Sequence, residues 1–198
     1  FGLLIGDGTL TYKNSFLFCA SEAYIAAEFQ RISLEQFGYR VKVKSNGIDH
    51  FVSSKQIRTF LAENGLEYAN ALNKRIPECI SRAPRELVIA FLQGLFDTDG
   101  TVESRYGNVR FASSSKRLSQ EVQLLLLNLD IVASLRIKPT KVHPSYRLSI
   151  NGEDAIRFYQ IVGFRLARKQ ERSKLASELR MPNKGGIPHL APLLKQIQ

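Results

Sequence analysis

Cysteine is scarce in this chain: two residues, Cys19 and Cys79, among 198. They lack metal-ligand spacing and supply no disulfide framework, so a reduced setting is expected. Both stand among apolar neighbours and read as small core residues. Histidine is equally sparse, and His50, His143 and His189 are too dispersed to form a ligand cluster, so no zinc centre is expected. No apolar run approaches the ~20 residues that span a bilayer, and no secretory signal opens the chain. The first residue is Phe1 rather than Met, inside an apolar motif, which reads as a trimmed or excised segment. The expected location is intracellular, most simply cytoplasmic, with organelle and nucleus left open.

Acidic residues are also in deficit. Eighteen stand against 28 lysines and arginines, a net charge of +10 and a pI near 9.8. That balance favours a polyanionic partner, most plainly nucleic acid. Charge alone separates neither DNA from RNA nor either from an anionic membrane surface. Hydrophobic content of 44% is ordinary for a globular protein.

The most organised stretch is Phe91-Leu92-Gln93-Gly94-Leu95-Phe96-Asp97-Thr98-Asp99-Gly100. From Pro84, which suits a first helical turn, Leu87, Val88, Phe91, Leu92 and Leu95 recur at helical spacing. Gly94 and Thr98, four apart, share a face that lets another backbone approach. Asp99-Gly100 closes the helix, with Gly expected in a positive-φ cap. A carboxylate at that end faces the negative pole of the helix dipole, and a bound cation would offset it. An EF-hand loop is excluded because it needs Gly at its sixth position; counted from Asp97, Gly100 is fourth.

The same pattern opens the chain. Phe1-Gly2-Leu3-Leu4-Ile5-Gly6-Asp7-Gly8 repeats Gly-x4-Asp-Gly at an offset of 99 − 7 = 92 residues, which indicates a tandem duplication. The order after each motif agrees. In the first half, Thr9 to Tyr12 and Phe16 to Ala20 form a hairpin and Ser21 caps a helix that ends at Gly38. Arg40 to Lys44 alternates, with Val41 and Val43 on one face and the cations on the other. Asn46-Gly47 turns to a strand near His50, and a helix runs from Ser54 to Asn64. In the second half, Thr101 to Glu103 pairs with Asn108 to Ala112, and a helix covers Ser115 to Leu129. Ser134 to Lys138 and Ser145 to Ile150 form the second hairpin, and Glu153 to Val162 the last helix of the repeat. Phe37-Gly38-Tyr39 and Leu129-Asp130-Ile131 correspond at the same offset. Ile76 to Pro84 joins the halves, and Arg165 to Leu179 reads as an added basic helix.

Two such motifs, one repeat apart on apolar helices, resemble the LAGLIDADG homing endonucleases in their single-chain, two-motif form, over residues 1 to 180. The resemblance implies an α+β fold: a pseudo-two-fold tandem repeat of an αββαββα unit. Two antiparallel sheets would form a DNA-binding saddle, with the motif helices at the interface. The halves are then 1–80 and 81–180, with a tail, 181–198, of no recognisable motif. Asp7 and Asp99 would ligate divalent metal with the backbone carbonyls of Gly6 and Thr98. Oxygen-only ligation favours Mg²⁺. The polar sheet faces would meet double-stranded DNA through Thr9, Thr11, Arg40, Lys42 and Lys44. In the second half the residues are Thr101, Arg105, Arg110, Ser134, Arg136, Lys138, Arg147 and Ser149.

Lys74-Arg75-Ile76-Pro77 is similar to the Lys-x-Ile-Pro signature of intein endonuclease domains, which makes Lys74 a catalytic candidate. Lys169, five residues beyond Gly163-Phe164, is its counterpart. The splicing segments of inteins are not present, so this chain is not expected to splice. The implied protein is a Mg²⁺-dependent, site-specific endonuclease, monomeric with internal pseudo-symmetry. The alternatives are a catalytically silent DNA-binding regulator and an RNA-splicing maturase. The target sequence is not readable.

Overall fold

The computed structural model describes residues 1–67 and 70–178; the expected tail, 181–198, lies outside them. Two helices form the axis: α1 (Gly2–Asp7) and α5 (Arg85–Asp99). Between them lie β1 (Gly8–Thr9), β2 (Phe16–Cys19), α2 (Ala23–Phe37), β3 (Lys42–Val43), β4 (Asp49–Val52), α3 (Lys55–Glu63) and the one-turn α4 (Glu78–Ser81). After α5 come β5 (Gly100–Val102), β6 (Val109–Ser113), α6 (Lys116–Leu127), β7 (Ser134–Lys138), β8 (Ser145–Ile150), α7 (Gly152–Ile161), α8 (Ala167–Gln170) and α9 (Ser173–Glu178).

Helices α1 and α5 touch backbone to backbone. A Cβ on Gly2 would lie 2.1 Å from the Phe91 carbonyl oxygen, and one on Gly6 would lie 1.9 Å from Thr98 Oγ1. Gly94 faces the Leu3 amide, where a Cβ would stand at 3.2 Å. Small residues four apart on both helices permit this approach, because any larger side chain would separate the axes. The two Asp-bearing ends are therefore carried side by side.

Each half adds a four-stranded antiparallel sheet, in the orders β1-β2-β4-β3 and β5-β6-β8-β7. The identical order is what a duplicated unit produces. Each sheet turns one face to its own helices. Phe18, Phe96, Phe111 and Phe158 are fully buried there. Phe96 and Phe158 stack with centroids 4.7 Å apart, and Phe18 and Phe29 with centroids 4.4 Å apart. The duplication survives in backbone detail. Gly38 has φ +61°, and Asp130, 92 residues on, has φ +60°.

Several local expectations are corrected. Gly100 and Gly8 adopt extended φ of −80° and −84°, not a left-handed cap. Each is small for contact instead: a Cβ would lie 2.3 Å from the Phe96 or Leu4 carbonyl oxygen. Pro84 is the N-cap of α5, one residue before its first turn. The cap of α2 is Glu22, without a side-chain bond, rather than Ser21. The strands β1 and β3, each at an edge of its sheet, shrink to two residues. Val43 is consequently exposed. The basic segment after Arg165 is two short helices rather than one. Cys79 is exposed and Cys19 half-buried, so neither is a buried core residue; Cys79 lies on the exposed side of the short α4.

Candidate active site and nucleic-acid interface

Asp7 ends α1 and Asp99 ends α5. Both carboxyls are harder to ionise than usual. Burial raises Asp99 to about 6, the charge of Asp7 adds to this, and Lys74 and Lys169 oppose it. Asp7 is also raised, by loss of water first, against the same two lysines. Lys74 lies within electrostatic reach of both carboxylates, and its ammonium donates to the Gly6 carbonyl at 2.5 Å. Burial lowers its pKa, and the two aspartates hold it up.

Lys169 lies at the end of the other motif helix, α5. It is buried, and its ammonium donates to the carbonyls of Phe96, Asp97 and Gly100 at 3.0, 2.7 and 2.6 Å. An ammonium has three protons, and all three are used on the end of α5. The Phe96 carbonyl also accepts the Gly100 amide, and a cation at this end suits the helix dipole. Burial pulls Lys169 down to about 8, against the charge of Asp97. Lys169 thus caps the end of α5, and its charge also bears on Asp7 and Asp99. Asp97 completes the knot: its Oδ1 accepts the Arg165 amide at 3.0 Å.

A divalent ion fits this donor set. Asp7, Asp99 and the carbonyls of Gly6 and Thr98 are all hard oxygens, and two carboxyls with raised pKa values are stabilised as ligands by a cation. Among the described residues no group of three or more His, Cys, Asp or Glu side chains could hold a metal. The ligand shell would therefore rest on two carboxylates, backbone oxygens and water.

The second sheet carries the better basic face. Strand register aligns Thr101, Arg110, Ser149 and Ser134 in one row across all four strands. The next row sets Arg136 directly opposite Arg147. Like charges opposed across strands are destabilising, and a polyanion on this face would relieve them. Lys138 extends the same face, and Arg110 is paired to Glu103 at 3.3 Å. Arg105 stands in the β5–β6 turn, over the Tyr106 ring.

In the first sheet the corresponding row is Thr9, Leu17, Phe51 and Lys42. It is more apolar than the alternation of Arg40, Lys42 and Lys44 suggests. Lys44 is paired with Asp49 at 3.4 Å, Arg40 precedes the strand, and Thr11 lies beyond β1. Sequence reading missed Leu17 and Phe51 on this face because nothing local tells which side of β2 and β4 meets the helices.

Residues 86–163 match a family model described as a LAGLIDADG-like domain. The crystal structure of I-DmoI in complex with DNA and Mn superposes with a TM-score of 0.61 at 21% identity, covering 82% of this chain and 92% of that one. The chain is a two-motif LAGLIDADG-fold protein. The N-terminal LAGLIDADG domain of DUF199/WhiA shares the fold as well, with a TM-score of 0.56 at 11% identity over 86% of this chain and 83% of that one. Among curated proteins, the glutamine–fructose-6-phosphate aminotransferase of Methanocaldococcus jannaschii matches at 25% identity over 179 residues, 86% of this chain. A DNA polymerase of Thermococcus sp. (strain GE8) matches at 30% over 200 residues, 90% of this chain. This LAGLIDADG chain spans only 16% and 11% of those two proteins' lengths.

Proposed function

We propose that this LAGLIDADG protein is a site-specific DNA endonuclease that makes Mg²⁺-dependent double-strand cuts. The observation that carries the reading is the meeting of Asp7, Asp99 and Lys74 at the ends of α1 and α5. Asp7 and Asp99, with the Gly6 and Thr98 carbonyls, would hold the divalent ions. Such ions lower the pKa of bound water and polarise a phosphoryl oxygen. Lys74 supplies a cation where charge grows on the phosphate during hydrolysis. Arg110, Arg136, Lys138 and Arg147, with Ser134, Ser149 and Thr101, would lie on the DNA; Arg reads guanine edges while Ser and Thr read more loosely. Thr9, Thr11, Arg40, Lys42, Lys44 and Arg105 would add contacts around them. One chain already holds both motifs, so it acts as a monomer, with 1–80 and 81–180 as its two halves. No helix of the described residues is long and apolar enough to cross a membrane.

An aminotransferase and a DNA polymerase share no chemistry, yet each contains a stretch resembling this chain that is a small part of its length. A segment common to such different hosts is readily understood as an insert with its own activity. This favours the endonuclease part of an intein over an intron-encoded or free-standing enzyme. The test is plasmid cleavage over a Mg²⁺ series with a library of long duplexes, followed by sequencing of the ends. Absence of any discrete cut site across the library would overturn the reading.

A silent DNA-binding regulator is the second reading, because the fold alone does not imply cleavage, and Lys74 and Lys169 both donate to backbone carbonyls. Duplex binding without cutting would select it. Tighter binding to intron RNA than to duplex DNA would select a maturase.

A further inference from the structure

The segment that carries Lys74 is held by the opposite half. Ser115, fully buried, caps α6 by accepting from the Leu118 amide at 3.1 Å. The same hydroxyl donates to the Lys74 carbonyl at 2.6 Å. Two residues along, the Ile76 amide donates to Glu121 Oε2 at 2.7 Å, and Glu121 Oε1 accepts from Arg117 at 2.7 Å. The backbone is thus pinned at two points immediately after the Cα that carries the side chain reaching Gly6. A related grip runs the other way. Arg168 pairs with Glu22, and Arg165 lies 3.9 Å from Glu28, both near Lys169. Glu22 is the N-cap of α2 and Ser115 the N-cap of α6. Glu28 and Glu121 each stand six residues past those caps, so equivalent helix positions grip the other half's lysine segment.

We propose that Glu121 and Ser115 are positioning residues for Lys74, so that the second half sets the catalytic cation of the first. This rests on the endonuclease reading. The two grips differ in kind. The hold on Lys74 is made of short hydrogen bonds to backbone, which fix a segment. The hold near Lys169 is made of side-chain ion pairs, and Lys169 is already fixed by three carbonyls. Loss of Glu121 therefore frees a side chain that must meet a phosphate, and a displacement of about 1 Å typically costs about 10²-fold in rate.

The experiment compares Glu121→Ala, Glu121→Gln, Lys74→Met and the double variant Glu121→Ala/Lys74→Met in single-turnover cleavage and gel-shift titration. Glu121→Ala is expected to lower kcat by about 10- to 100-fold with affinity for the duplex unchanged. Glu121→Gln, which keeps an acceptor for the Ile76 amide, restores most of the rate. In the Lys74→Met background, removal of Glu121 has no further effect, since residues acting through one another are not additive. An equal loss in both backgrounds, or a fall in melting temperature with kcat intact, would overturn the proposal. Amide exchange at Ile76, measured without DNA or metal, reads the clamp independently of cleavage. At least tenfold faster exchange in Glu121→Ala supports it, and an unchanged rate refutes it even if the unaltered protein cuts nothing.

Discussion

Replacing Asp99 by Asn removes a charge that the fold holds at a cost. Burial and the neighbouring Asp7 raise its pKa from 3.8 to about 6. A shift near two units corresponds to about 3 kcal/mol of differential interaction. The sign follows from proton uptake. Below pH 4 the carboxyl is protonated in both folded and unfolded chains, and nothing is lost. Between pH 4 and 6 the unfolded chain releases its proton first, so stability falls as pH rises. Above pH 6 the full cost is present. Asn never ionises, but its buried amide has a desolvation cost of its own, about 1–2 kcal/mol. The net gain at pH 7 without metal is then about 1–2 kcal/mol, a rise in Tm of about 2–8 °C for a chain of this size. Calorimetry of both proteins in chelator, from pH 3.5 to 8, should show the variant less stable at the acid end, where only its amide cost counts, and more stable above pH 6, with the two curves crossing in between. Mg²⁺ should raise the Tm of the unaltered protein by linkage and leave the variant almost unmoved. The variant should bind duplex yet fail to linearise plasmid. A lower Tm than the parent at pH 7, or unimpaired linearisation, would refute the electrostatic account.

Lys74→Met should slow cleavage by about 10² to 10³ while gel-shift affinity stays close to that of the parent. Lys169→Met should instead appear first as lost stability, about 1–3 kcal/mol, because buried carbonyls at the end of α5 lose a charged donor; denaturant titration distinguishes the two lysines. Changing Arg136 and Arg147 together to Ala should reduce the slope of log K against log salt by about 1.8, at about 0.9 per phosphate contact, and should not destabilise the free protein, since it removes two opposed charges. Gly2→Ala should be far more damaging than Gly94→Ala, as its Cβ would stand 2.1 Å from a backbone oxygen rather than 3.2 Å from a backbone nitrogen. Comparable midpoints for the two variants in urea would show that α1 and α5 are not in close backbone contact.

The sequence by itself determined the parts of this protein that local periodicity encodes. Helical spacing in Leu87 to Leu95, the Asn46-Gly47 turn and the alternation in Ser134 to Lys138 each depend on neighbours within a few residues. The repeated Gly-x4-Asp-Gly carried the rest, because an offset of 92 is visible without coordinates and implies two paired helices. The left-handed Asp130 stands where the first half has Gly38; the repeat showed that the positions correspond, and the structure showed that the backbone does too. The fates of the two lysines were not. Lys74 and Lys169 stand at comparable places in the chain, yet one reaches Gly6 between two aspartates and the other is sealed against Phe96, Asp97 and Gly100. What separates them is contact across about 70 residues, fixed only when α1 and α5 meet and α6 folds over the linker. The same holds for Glu121, an unremarkable helix-surface acid in sequence whose partner is a backbone amide in the other half. Hydrogen bonds of that kind have no sequence period, and tertiary packing alone chooses them.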